Sequence, residues 1–161
     1  MTALFAALAC VATMVLVVPS PSGGYMNLGD TAVLLGAYLL GPVFGAIAAG
    51  VGSALADVLL GAAAYAPATL VIKAVMAALA GALYRTLREK RGGALLCAVA
   101  GEVPMVVGYW LYDGFLMRSL AGAAVGIPSN LVQAAFGIAV STLLLAALKK
   151  SGAVRREFPT L

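Results

Sequence analysis

Long apolar runs, each ended by proline, glycine or a knot of basic residues, leave this chain few ways to fold. Ala3 to Val18 carries no charge, Pro42 to Leu60 carries only Asp57, and Ala94 to Phe115 carries only Glu102 and Asp113. A helix needs about 20 residues to cross the hydrocarbon of a bilayer. The runs approach that length and lack the strict alternation of a barrel strand. Charged residues make up 10% of the chain and the mean hydropathy is +1.07, whereas a soluble domain carries roughly 25% charged residues. The expectation is therefore an all-α membrane protein, a six-transmembrane-helix bundle forming a single domain over residues 1–161.

The breakers set the expected elements. A first helix runs from Ala3 to Val18 and stops at Pro19 and Pro21. With no basic segment ahead of it, this helix is expected to be retained rather than cleaved as a signal peptide. A polar loop follows from Ser20 to Gly29, with Asp30 placed to cap a short second helix, Thr31 to Leu40. Gly41-Pro42 separates it from a third helix, Pro42 to Leu60, whose Gly45, Ala49, Gly52 and Ala56 allow close approach of a neighbouring backbone. The fourth helix runs from Pro67 to Arg88, the fifth from Ala94 to Phe115 and the sixth from Pro128 to Lys149.

Arg85, Arg88, Lys90 and Arg91 cluster between the fourth and fifth helices, and Lys149, Lys150, Arg155 and Arg156 follow the sixth. Both clusters belong in the cytoplasm by the positive-inside rule. Six crossings then place both termini there and put the loops at 19–30, 61–66 and 116–127 outside. The chain has no histidine, which excludes His-based metal, haem and Ser-His chemistry. Cys10 and Cys97 each sit in an apolar run and read as buried small residues. There is no phosphate-binding Gly-x-x-x-x-Gly-Lys-Ser/Thr loop. The net charge of +4 reports cytoplasmic flanks rather than nucleic acid. No enzymatic activity, metal or cofactor is expected.

Under this topology the polar residues collect on the outer side. Tyr25, Asn27 and Asp30 belong to the first loop, Asp57 to the end of the third helix, and Tyr65, Thr69 and Lys73 to the start of the fourth. Tyr109, Trp110, Tyr112 and Asp113 lie towards the end of the fifth, and Asn130 and Gln133 at the start of the sixth. Each has a plainer role open to it: Asp30 as a cap, the aromatics as an interfacial belt, Asn130 and Gln133 as links between helices. Lys73 and Glu102 are the harder pair to explain that way. They lie about 9 Å and 12 Å into their helices at ~1.5 Å per residue, where a charge costs at least ~2.5–3.5 kcal/mol. Lys73 is expected to pair with Glu102 or Asp57. The candidate substrate-binding set is thus Tyr25, Asn27, Asp30, Asp57, Tyr65, Thr69, Lys73, Glu102, Tyr109, Tyr112, Asn130 and Gln133.

Gly-Tyr-Met-Asn-Leu-Gly-Asp at 24–30, Leu-Gly-Pro at 40–42, Gly-Ser-Ala-Leu-Ala-Asp at 52–57 and Tyr-Ala-Pro-Ala-Thr-Leu-Val-Ile-Lys at 65–73 resemble the S components of energy-coupling factor (ECF) transporters. The likeness continues through Gly-Glu-Val-Pro-Met-Val-Val-Gly-Tyr at 101–109 and Pro-Ser-Asn-Leu-Val-Gln at 128–133. It is strongest to a subfamily linked to riboflavin, vitamin B6 and the hydroxymethylpyrimidine precursor of thiamine. The resemblance implies a six-helix bundle in a bacterial or archaeal cell membrane, with a vitamin pocket under the first loop. It also implies a transmembrane coupling subunit and two ATPase subunits as partners. Ala3 and Ala7 fit the family's small-residue docking pattern on the first helix. Two other readings remain open at this level: an envelope scaffold of related fold, and a solitary carrier using Glu102 or Asp57 as a proton site.

Overall fold

The computed structural model describes residues 1–21, 25–151 and 156–158. Gly23 and Gly24 of the expected loop, and Arg155 of the second basic cluster, lie outside the described residues. Among the described residues the regular structure is helical apart from one small hairpin. Helix α1 spans Thr2–Val15, α2 Gly29–Leu59, α3 Ala66–Leu87, α4 Gly93–Leu116, the short α5 Leu120–Ala123, and α6 Ile127–Lys150, with a 3-10 turn at Ala124–Gly126. Four stretches, Gly29–Leu59, Ala66–Leu87, Gly93–Leu116 and Leu120–Lys150, are long and apolar enough to cross a membrane.

Two boundaries differ from the sequence reading. First, α1 ends at Val15, and the next residues are strand β1, Val18–Pro19, paired antiparallel with β2, Tyr25–Met26. Pro19 lacks an N–H and ends helical propagation, and the β-branched Val17 and Val18 suit an extended chain. Second, the expected second and third helices form one element, α2, interrupted at Gly41 with φ 80° and ψ 179°. A side chain at that positive φ would be strained, so the position calls for glycine. In a straight helix residues eight apart lie about 12 Å from each other. Here a Cβ on Gly45 would sit 2.8 Å from Cα of Ala37. The two halves of α2 therefore fold back on each other at Gly41-Pro42, and Gly45 admits the close approach expected of it. Among the described residues four stretches, not six, have spanning length, and the six separate transmembrane helices expected from the sequence are not what the elements give.

The bundle is inside-out relative to a soluble domain. Leu4, Leu8, Val11, Val43, Phe44, Ile47, Val51 and Leu55 are exposed, while Asp30, Asp57, Lys73, Glu102, Asn130 and Gln133 are buried. That inversion suits a hydrocarbon solvent. Tyr38 and Tyr84 pack with centroids 4.6 Å apart, and the Tyr38 hydroxyl donates to the Ala94 carbonyl at 3.1 Å. The Gly41 corner meets Arg85, and Lys149 reaches the Arg88 carbonyl at 3.3 Å. The corner of α2 and the C-terminal ends of α3 and α6 thus share one basic end. Cys10 and Cys97 are free and buried.

Candidate functional site

At the end opposite the basic cluster of Arg85, Arg88 and Lys149, five segments converge: the hairpin, the close of α2, the start of α3, the close of α4 and the start of α6. The polar groups they carry form two tiers. The deeper tier is centred on Asp30, 1% exposed, whose carboxylate pairs with Lys73, 2% exposed. Its second oxygen accepts a 2.6 Å hydrogen bond from Nε2 of Gln133. Gln133 in turn accepts from the Asn27 backbone N–H at 2.7 Å. The Asn27 side chain accepts from the N–H of Gly29 at 2.7 Å, the turn-forming bond that launches α2. The Lys73 ammonium also lies 5.5 Å from the ring centroid of Tyr109.

These contacts correct two expectations. Asp30 does not cap α2: Leu28 holds the cap position and Asp30 lies in the first turn with its carboxylate turned inward. Lys73 pairs with Asp30 rather than with Glu102 or Asp57. The fold-back of α2 carries Asp30 against α3 at the depth of Lys73. An unpaired buried ammonium is costly enough that this partner outweighs a cap. Glu102, 3% exposed, stands close to Asp30 across Gly137, and neither of its carboxylate oxygens has a hydrogen-bond partner.

The upper tier encloses a cavity. Tyr25 donates to Asp57, Tyr65 donates to Asp113 at 2.8 Å, and the hydroxyls of Thr69 and Tyr109 meet at 2.9 Å. Ser20 and Ser129 hydroxyls meet at 2.8 Å and tie the hairpin to α6. Ser20, Asn27, Asn130 and Gln133 complete the lining. Thr69 and Lys73 are one turn apart on α3, which sets Lys73 beneath the cavity. Burial, then the contact with Asp57, pushes the Tyr25 hydroxyl above the usual tyrosine range; burial and Asp113 do the same for Tyr65. Both remain neutral donors at physiological pH. The cavity offers about 30 Å³, well below the roughly 300 Å³ at which small-molecule pockets begin.

Of the expected residues, Tyr25, Asn27, Asp57, Tyr65, Thr69, Tyr109, Asn130 and Gln133 line this cavity. Asp30, Lys73 and Glu102 do not; they lie in the tier below. Tyr112 braces the rim, donating to the Ala64 carbonyl and packing edge-on against Tyr65 at 5.4 Å. Trp110 donates to the Leu120 carbonyl at 3.0 Å. Ser20 and Asp113 line the cavity without having been singled out as contacts. Asp113 was findable, since it follows Tyr109 by four residues and shares its helix face. Ser20 was not, because only the hairpin brings it inward. Ala3 and Ala7 are exposed on α1, away from the cavity.

The sequence profile of a family described as the ECF-type riboflavin transporter, S component, matches residues 1–150. An uncharacterised protein of Pyrococcus woesei is 39% identical over 141 residues, spanning 87% of this chain and 93% of that protein. Among solved structures, the S component of a bacterial ECF transporter superposes with a TM-score of 0.73 at 21% identity, covering 92% of this chain and 93% of the other. The S component for biotin from an ECF-type ABC transporter gives 0.66 at 21% identity, covering 98% and 93%.

Proposed function

This chain belongs to the family of ECF-type riboflavin transporter S components, and from that premise we propose that it captures a small ring-containing vitamin or precursor at the outer face of a cell membrane. Riboflavin, vitamin B6 and hydroxymethylpyrimidine are the proposed candidates. The family is a substrate-binding transporter component, not an enzyme. The observation that carries the reading is the polar, tyrosine-walled cavity at one end of an otherwise apolar bundle, opposite the basic end. Each half of the folded α2 counts as a crossing, giving six, with both termini in the cytoplasm on the side of Arg85, Arg88 and Lys149.

The cavity reaches ligand size through movement of the hairpin. The Ser20 and Tyr25 side chains and the Asn27 backbone N–H hold that segment to α6 and α2. Exchanging those contacts for contacts with a ligand is a local rearrangement that leaves the bundle intact. Uptake itself requires a coupling subunit and two ATPase subunits, docked on the exposed apolar faces of α1 and α2 around Ala3 and Ala7. Native mass spectrometry of the purified protein tests the capture step: a co-purifying ring compound of defined mass is expected. Transport of that compound only when the coupling module is co-expressed tests the rest. Transport by the chain alone would replace this reading with a solitary carrier.

A further inference from the structure

Resting on the substrate-capture reading, we infer that the ligand of this cavity is an organic cation, a nitrogen compound charged at neutral pH and bearing N–H or ring-edge donors to Asp57. Asp57 is 4% exposed and lines the cavity. One of its oxygens accepts from Tyr25, and the other is buried without a hydrogen-bond partner. A buried carboxylate oxygen left unpaired is costly, and a cationic donor is the group that offsets the cost most fully. Asp113 is a second carboxylate in the same wall, and no lysine or arginine lines the cavity among the described residues. Lys73 is the nearest buried cation, but it lies in the tier below, where Asp30 holds it in an ion pair. Three tyrosines, Tyr25, Tyr65 and Tyr109, line the cavity beside the acidic groups, and aromatic rings attract cations. An anionic ligand would meet two carboxylates in the wall, with its nearest cation, Lys73, already paired to Asp30, so phosphorylated vitamins are disfavoured.

The test is calorimetric titration of the full-length protein in nanodiscs with pyridoxamine, pyridoxine, pyridoxal 5′-phosphate, thiamine and riboflavin. At least one of the two cations, pyridoxamine and thiamine, is expected to bind tighter than any neutral compound by about tenfold or more. The phosphate should show no saturable binding. Asp57→Asn should lower cation affinity by about tenfold while changing neutral compounds little. The wild-type series decides the point even if that variant does not fold. Riboflavin or pyridoxine binding as tightly as the cations, or binding of the phosphate, overturns the inference and leaves substrate capture standing. Binding of no compound in the series overturns the inference, and substrate capture is then decided by the mass of the co-purifying compound.

Discussion

Lys73 and Asp30 form a buried ion pair that fastens α3 to the first turn of α2 beneath the cavity. Neither residue touches the cavity, yet Asp30 also holds Gln133, which does. The pair therefore couples the stability of the bundle to the shape of the site.

Breaking that pair from one side leaves a buried charge alone. Asp30→Asn and Lys73→Met are each expected to lower stability by about 3–5 kcal/mol. The double variant Asp30→Leu/Lys73→Met should lose less than the sum of the two, since it strands neither charge. Thermal unfolding in detergent measures all three. Additive losses would mean that the contact contributes no coupling. Lys73→Met should also weaken ligand binding, because Asp30 is then free to draw Gln133 out of the wall.

Glu102 gives the opposite expectation from a residue buried almost as deeply. Both of its oxygens lack hydrogen-bond partners, so Glu102→Gln removes no contact. It should change stability by less than about 1 kcal/mol, against the larger loss from Asp30→Asn. A loss comparable to that of Asp30→Asn would show that the carboxylate is part of the ion-pair network.

Two sets of small residues on the same helix pair should respond differently. A side chain at Gly52 would run into the Ala6 carbonyl of α1. Gly52→Leu should therefore separate α1 from α2 and cost about 1–3 kcal/mol or more. Ala3 and Ala7 face outward. Ala3→Trp/Ala7→Trp should leave melting temperature and vitamin affinity unchanged while blocking co-purification with a coupling subunit. Parallel loss of affinity and assembly would place those alanines in the fold rather than in a docking surface.

Alkaline pH should expose the Tyr25 contact. Its folded-state pKa is raised, first by burial and then by Asp57. An unfolded tyrosine loses its proton near pH ~10 while the folded one keeps it. The unfolded state then binds fewer protons, and stability falls as pH rises through that range. Tyr65 contributes in the same sense. Tyr25→Phe should make the fall shallower in melting curves taken between neutral and strongly alkaline pH. An unchanged slope would mean that Tyr25 is not held as described.

Sequence alone determined the solvent, the class of fold and the end of the bundle at which the polar residues of the candidate site gather. Those follow from one-dimensional quantities: run length, breaker position and charge placement. The start of α3 near Pro67 and the break at Gly41-Pro42 were legible because proline and glycine restrict or free the backbone locally. So was the gathering of Tyr25, Asp57, Thr69, Tyr109 and Gln133, because each lies at the same end of its run. Tertiary structure alone decided which polar group meets which. Asp30 read as a helix cap or a ligand contact because it follows a polar, glycine-rich loop; only the fold-back of α2 at Gly41 carries it to Lys73, 43 residues away. The β1–β2 hairpin was hidden for a related reason: Val18 is as apolar as the helix before it, and its pairing with Met26 is a long-range hydrogen-bond choice. Pairings of this kind depend on how elements pack in three dimensions, and no local periodicity encodes them.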